Sequence, residues 1–222
     1  MRTSTIVRTL LAATAVTPLL CHAESTFNAT GASPSTATAH VDFQITIPKF
    51  IFLRVGNGTG SLNAAGGFAT APATNALVDQ ITWAPTAAQV GTGALAGTGG
   101  DLTGGVETAA LVANNGVVTL SVATSGALND PAGDTISYTT ITTTASHNNT
   151  GTPLAAPVLP DGAVGPGSSV TLTPVAPSRV ISQDAKWAYA YTNATTPAAG
   201  VYGGGGAGNV GFGRATYTAS VP

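Results

Sequence analysis

The stretch that decides the fold runs from Val41 to Val55 and reads VDFQITIPKFIFLRV. Its first half alternates apolar and polar side chains at every residue, which is the period of a strand with one buried face. Pro48 interrupts this pattern, because proline has no N–H to donate to a sheet. The apolar run that follows is typical of a strand buried on both faces. The stretch therefore predicts two successive strands, at 41–47 and 50–55, with an edge or bulge between them.

Short strands separated by Gly- and Pro-rich loops continue along the rest of the chain. Alternation or apolar runs predict them at 77–83, 106–113, 116–124, 135–143, 169–175, 178–182, 186–192 and 215–221. Asn114-Asn115-Gly116 predicts a type I′ hairpin turn, and Trp83 and Trp187 are the expected core anchors. Since no amphipathic helix pattern occurs, the predicted fold is all-β. We expect an immunoglobulin-like or jelly-roll β-sandwich of about 8–10 short antiparallel strands.

Composition limits the function classes open to this chain. Of its 222 residues, 43% are apolar and 7% are charged, with 7 Lys and Arg against 9 Asp and Glu. The apolar fraction suffices for a core and excludes a highly charged disordered tail. The few basic residues argue against a nucleic-acid partner, because they cannot neutralise a broad face of phosphates. Coiled coils are excluded as well, since they need abundant Glu, Lys, Arg and Leu.

Residues 1–23 have the pattern of a secretory signal peptide. Arginines near the N-terminus precede a mostly apolar run at 9–20, and small residues end the segment at Ala23. A retained membrane anchor is the alternative, but the run is short for about 30 Å of hydrocarbon. A lipoprotein acylated at Cys21 is a second alternative, although bulky leucines rather than small residues precede that cysteine.

Cleavage after Ala23 would change the net charge and the cysteine content of the mature chain. It would remove two Arg and the single Cys, leaving a net charge of 5 − 9 = −4 and excluding disulfides and thiolate sites. Residues 24–40 are small, polar and aperiodic, which predicts a flexible mature N-terminus. Residues 41–222 are expected to form a single β-sandwich domain with no membrane span. The predicted location is the periplasm, the cell surface or the extracellular medium.

Catalytic and metal-binding motifs are not evident. His40 and His147 stand outside any HExxH or HxH spacing, and no GxSxG nucleophile elbow occurs. Asp130 and Asp134 bracket a turn with too few acids for an EF-hand. We therefore expect no catalytic residue, no metal, no cofactor and no enzyme activity. A hydrolase built from acids brought together by the fold remains an alternative.

Trp187, Tyr189 and Tyr191 share one face of the predicted strand at 186–192. Alternating aromatic side chains of this kind either pack into a core or form an exposed platform on which a sugar ring stacks. The second reading defines an alternative function, a monomeric periplasmic or surface module that binds a glycan or another ligand.

Both ends of the mature chain carry alternating strands next to flexible segments. The strand at 41–47 follows the leader 24–40, and the strand at 215–221 follows the glycine-rich stretch 203–208. Such strands either close their own sandwich or pair with the open edge of a neighbouring subunit. In the second case the intermolecular strand would insert the apolar side chains of Val41, Phe43, Ile45 and Ile47. The partners would be copies of this chain or other subunits.

The signal peptide, the Ala- and Thr-rich mature start, the strand VDFQITIPKF and the closing segment GRATYTASVP resemble secreted bacterial fimbrial or pilin-type adhesin subunits. In those families an N-terminal extension completes the incomplete immunoglobulin-like sandwich of a neighbour. The resemblance implies an exported structural or adhesive protein that assembles as a fimbria-like subunit by strand exchange.

Overall fold

A computed structural model describes residues 25–29, 31, 36–56, 78–149, 151–203 and 213–222. The predicted signal peptide and most of the glycine-rich stretch at 203–208 lie outside the described residues. The chain divides into two units, Met1–Ile47 and Pro48–Pro222. The division into a flexible segment 24–40 and a domain 41–222 stays a prediction. The protein is all-β, as predicted, with several antiparallel sheets.

All strands of the described residues belong to the second unit. In chain order they are β1 (Ile51–Val55), β2 (Ile81–Thr82), β3 (Leu95–Ala96), β4 (Thr98–Gly99), β5 (Val106–Ala113), β6 (Val118–Thr124), β7 (Leu128–Asn129), β8 (Thr135–Ile136), β9 (Ile141–Ser146), β10 (Ser169–Leu172), β11 (Ile181–Tyr191) and β12 (Ala215–Ser220). The larger sheet has the order β1-β5-β11-β3, with β9 also paired to β11. The second sheet has the order β10-β6-β12, and β2-β4 and β7-β8 form two small ribbons.

The core lies between the inner faces of the two main sheets. Buried apolar residues come from β5 and β11 on one side and from β6 and β10 on the other, including Leu111, Ala113, Val118, Leu120, Val122, Leu172, Ala185, Trp187 and Tyr189. The indole N–H of Trp187 donates to the carbonyl of Leu154 at 2.8 Å, so this fully buried ring leaves no unpaired donor. Trp83 packs against the same core but is only partly buried. The arrangement is consistent with a β-sandwich.

The predicted hairpin at Asn114-Asn115-Gly116 is wrong. The strands on either side, β5 and β6, pair in different sheets, so the turn carries the chain across the sandwich. Both strands have a strongly apolar face, and these two faces can bury each other only from opposite sheets. Gly116 has a φ of 99°, a conformation that favours glycine in either kind of turn.

Several other strand boundaries also differ from the prediction. The predicted strand at 135–143 is broken by a 3-10 turn at Tyr138–Thr140, where the hydroxyl of Ser137 accepts from the backbone N–H of Thr139 at 3.1 Å. Local hydrogen bonding by serine thus competes with the ladder. The predicted strands at 178–182 and 186–192 merge into the single strand β11, because alternation continues through the buried Ala185. The predicted strand at 77–83 contributes only the two residues of β2.

β1 was expected to be buried on both faces, and this expectation is also wrong. The strand lies at the end of its sheet and pairs only with β5 among the described strands. Its first residue, Ile51, is 38% exposed and the others are half-buried.

Across the described ranges, no helix combines the length and the apolar character that a membrane span requires.

Candidate functional site

The segment 41–47, called the extension below, places its apolar side chains in solvent. The exposed fractions are 74% for Val41, 90% for Phe43, 85% for Ile45 and 74% for Ile47. Residues 36–50 form no strand in the structure, so the predicted strand at 41–47 has no sheet partner within the described residues. Alternation predicted a buried face for these four side chains, and in the structure all four are exposed. A row of exposed apolar side chains of this size is typical of a surface that binds a partner.

The outer edge of β1 offers unpaired backbone groups. Asn114 donates its backbone N–H to the carbonyl of Phe50 at 3.4 Å, and Gly56 donates to the carbonyl of Thr108 at 2.8 Å. Both bonds point toward β5. Because bonding direction alternates along an antiparallel strand, the N–H and C=O groups of Ile51, Leu53 and Val55 point away from β5. No described strand pairs with them.

β12 presents a second edge of the same kind. Val122 on β6 donates its N–H to the carbonyl of Ser168 on the β10 side at 2.9 Å. By the same alternation, Tyr217 and Ala219, which lie opposite Val122 and Leu120, point their backbone groups away from β6. Their side chains pack partly buried against the core, so one set of residues offers both ladder positions and apolar surface.

The two edge strands lie close together. Several pairs of residues from β1 and β12 have Cα atoms no more than 8 Å apart, yet the strands belong to different sheets and share no ladder. We call the gap between them the edge cleft and define it by Leu53, Val55, Tyr217 and Ala219. Adjacent strands lie about 4.8 Å apart, so a strand seated between β1 and β12 would hold them about 9.6 Å apart. The edge cleft must therefore open slightly to admit one.

The two strands run in opposite directions along the edge cleft. The turn between β5 and β6 contacts both of them: Asn114 holds Phe50, just before β1, and Asn115 donates to the carbonyl of Pro222, just after β12, at 3.3 Å. The start of β1 and the end of β12 therefore lie at the same end of the sandwich.

Aromatic side chains form the inner side of the edge cleft. The Tyr217 ring lies 5.2 Å from the Trp187 ring, measured between centroids, and its hydroxyl is 2.9 Å from that of Tyr189. Burial raises the pKa of Tyr217 to about 12, so both hydroxyls stay protonated at physiological pH. The hydrogen-bonded pair ties β12 to β11 across the core and fixes the position of the free edge.

Glu107 is a buried acid near these rings. Its side chain is 4% exposed, and its carboxylate accepts from the backbone N–H of Asp101 at 3.2 Å. Burial raises the pKa of Glu107 to about 8; the Asp101 hydrogen bond opposes this shift, and the charge of Asp79 adds to it. Glu107 is thus mostly protonated at neutral pH. A protonated carboxyl group is the kind of group used in acid catalysis, but that of Glu107 is buried in the core.

The sequence analysis singled out His40, His147, Asp130 and Asp134 as candidates for catalysis or metal binding. His40 precedes the extension, whereas His147 lies in the loop after β9. Asp130 accepts from the backbone N–H of Asp134 at 2.8 Å, which makes their loop an ordinary turn. Among the residues that the structure describes, no group of three or more His, Cys, Asp or Glu side chains is placed to hold a metal ion.

The aromatic platform proposed for a glycan does not form. Trp187 is fully buried and Tyr189 is 7% exposed, so neither face can stack on a sugar. Tyr191, at the end of β11, is half-buried. The core-packing reading of this strand holds because Trp187 and Tyr189 project into the sandwich, where the apolar side chains of β6 meet them.

Sequence reasoning identified the extension but missed the edge cleft and the hydrogen bonds of Asn114. The position of β12 opposite β1 depends on the crossover after β5, where a hairpin had been expected. The signal available was the apolar alternation of Ala215, Tyr217 and Ala219 at the chain end.

In comparisons with known proteins, no family model, no curated protein and no solved structure matches this chain. The resemblance to fimbrial and pilin-type subunits therefore stays a prediction. The case for a function rests on the geometry of the extension and the edge cleft.

Proposed function

We propose that this protein is a non-enzymatic, exported structural or adhesive subunit that assembles, like a fimbrial subunit, by strand exchange. The extension of one copy is the intermolecular strand, and the edge cleft of a second copy is its receptor. The sandwich, of the immunoglobulin-like kind, is completed by this added strand.

The observation that carries the proposal is the exposure of the extension. Its four alternating apolar side chains are 74–90% exposed, although side chains of this type lose about 1.5–3 kcal/mol each when they are left in water rather than buried. An extended segment with one apolar face and free backbone groups is the chemical counterpart of an open sheet edge.

The edge cleft supplies what the extension lacks. Both of its edges offer backbone groups for a ladder, and its inward side chains are apolar and only partly buried. A seated strand would therefore gain main-chain hydrogen bonds on both sides and cover the exposed side of the core.

Matched double variants of the extension test this proposal. Phe43→Asp with Ile45→Asp places charges on the apolar face, whereas Gln44→Asp with Thr46→Asp adds the same charges to the polar face. We expect the first pair to abolish concentration-dependent association, measured by sedimentation velocity and negative-stain microscopy. The second pair should associate like the unaltered chain.

A peptide of residues 38–48 gives an independent measurement. Added to a chain that lacks residues 24–47, it should bind and raise the midpoint of thermal unfolding. Equal association of the two double variants, or a peptide that neither binds nor stabilises the shortened chain, would show that the extension is not an assembly strand.

A further inference from the structure

Asn114 holds the chain just before β1 by both ends of its side-chain amide. Its Oδ1 accepts from the backbone N–H of Phe50 at 2.9 Å, and its Nδ2 donates to the carbonyl of Pro48 at 2.8 Å. With the backbone bond from Asn114 N–H to the carbonyl of Phe50, these contacts extend the β1–β5 pairing beyond Ile51. We call this set of three hydrogen bonds the Asn114 clamp.

The clamp acts on the residues at which the chain would have to reverse. For the extension to enter the edge cleft of its own chain, it must fold back as a hairpin on β1. The inward residues of β1 are odd-numbered, as are the apolar residues of the extension. Directly opposed residues in an antiparallel pair share a face, so an inward-facing hairpin must place odd residues opposite odd residues.

This parity rule decides which loops would work. A two-residue loop at Pro48–Lys49 sets Ile47 opposite Phe50, so that an odd residue is paired with an even one. The apolar side chains of the extension would then point outward, because a shift of one residue in the pairing moves every side chain to the other face. That loop is also unsuitable for proline, whose φ near −65° cannot match the positive φ that hairpin turns need at the first position. The shortest loops with the correct facing, 47–49 and 48–50, both bend the chain at Pro48 and Lys49. Each would move the Pro48 carbonyl away from the Asn114 amide, and the loop 48–50 would also break both bonds to Phe50.

From this geometry we infer that Asn114 is a positioning residue that keeps the extension out of the edge cleft of its own chain. The extension of one copy is therefore left to bind a second copy, and its edge cleft is left to bind the extension of a third. This arrangement favours a linear assembly over a monomer whose own extension fills its edge cleft. The inference rests on the proposed function, because it takes the edge cleft as the receptor of the extension.

The test compares full-length chains by hydrogen exchange of the amides of residues 41–47. At a dilution where the chain is monomeric, we expect no protection in the unaltered protein. Asn114→Ala combined with Lys49→Gly releases the clamp and supplies a residue that tolerates a tight loop. We expect this pair to slow exchange in the extension about tenfold, as local protection would require. Asn114→Asp with Lys49→Gly, which keeps an acceptor for Phe50 and loses the donor to Pro48, should act in the same direction.

Two controls separate the clamp from general loosening. Lys49→Gly alone leaves the clamp intact, and Asn115→Ala alters the neighbouring amide of the same turn; both should remain unprotected when dilute. Near-UV circular dichroism from the buried Trp187 reports that each variant is folded. Protection in Lys49→Gly alone, or none in either folded double variant, would overturn the role of Asn114. At high concentration, an unaltered chain that stays monomeric would instead overturn the proposed assembly, while the dilute comparison still decides the clamp.

Discussion

At the scale of single residues, Glu107 and Asn114 show what a sequence pattern leaves open. Glu107 lies on the same face of β5 as the buried Leu111, and its burial there raises its pKa to about 8. Asn114 was expected to form a hairpin turn, yet its side chain holds the segment before β1. Both roles depend on residues far away in the sequence, so local propensity had no means of indicating them.

Glu107 should make stability depend on pH. Its folded pKa of about 8 lies above the ordinary value of 4.5, so between these pH values the folded state holds a proton that the unfolded chain releases. The contribution of Glu107 to the free energy of unfolding is therefore complete below pH 4.5 and is lost as pH rises through about 8, with a slope approaching about 1.4 kcal/mol per pH unit. Urea unfolding at a series of pH values measures this slope.

Glu107→Gln should flatten that profile and raise stability at pH 9 relative to the unaltered chain, because the amide stays neutral and keeps an acceptor for Asp101. Asp42→Asn, on the exposed extension, is the matched control and should leave the profile unchanged. A Glu107→Gln variant with the same slope as the unaltered chain would contradict this assignment.

At the scale of elements, alternation predicted the strands that have a buried face and failed where pairing decides the outcome. β12 lies close to its predicted range because apolar residues recur at every second position. β5 does so because residues 109–113 form an uninterrupted apolar run. The same signal at 41–47 predicted a strand that has no partner among the described residues. A period of two records which face suits burial, but the partner is set by topology, and the crossover at 114–116 was not visible in the sequence.

Gly105, just before β5, lies close to Gly97, just after β3, and this close approach should require glycine at position 105 but not at position 104. Gly105 and Gly104 both have positive φ, but a Cβ on Gly105 would lie 2.7 Å from the Cα of Gly97, whereas nothing lies within 4 Å of one on Gly104. Gly104→Ala should cost about 1–2 kcal/mol of unfolding free energy from backbone strain alone. Gly105→Ala should cost about 2 kcal/mol more, since backbone must move. Chemical denaturation measures both; equal costs would refute the close approach.

At the scale of the whole molecule, low charge and an apolar extension favour ordered association. The chain carries 7 Lys and Arg and 9 Asp and Glu among 222 residues, so copies repel each other weakly. The exposed apolar row of the extension and the partly buried row of the edge cleft are the surfaces that association would cover. Composition alone indicated weak repulsion, whereas the exposure of the extension is a finding of the structure.

Association of the full chain should accordingly depend little on salt. Between about 0.05 and 0.5 M NaCl we expect the association constant to change by less than about threefold, because the contacts are apolar and weakly affected by screening. Calorimetry should show a negative heat-capacity change, the mark of apolar burial. A tenfold or greater loss of affinity in salt, measured by sedimentation equilibrium, would point to charge-driven contacts elsewhere on the surface.

The pairing of β1 with β5 has a mechanical consequence. A force applied to the extension enters the sandwich at Pro48, where the Asn114 clamp is the first set of bonds to be stretched. If the pull is directed along β1, the ladder from Ile51–Ala113 to Val55–Ala109 lies across it, because antiparallel hydrogen bonds run perpendicular to the strands. Those bonds are then sheared together and resist as a group, whereas a sideways pull would unzip them singly. A filament of such subunits would resist a force along its axis better than a force applied from the side.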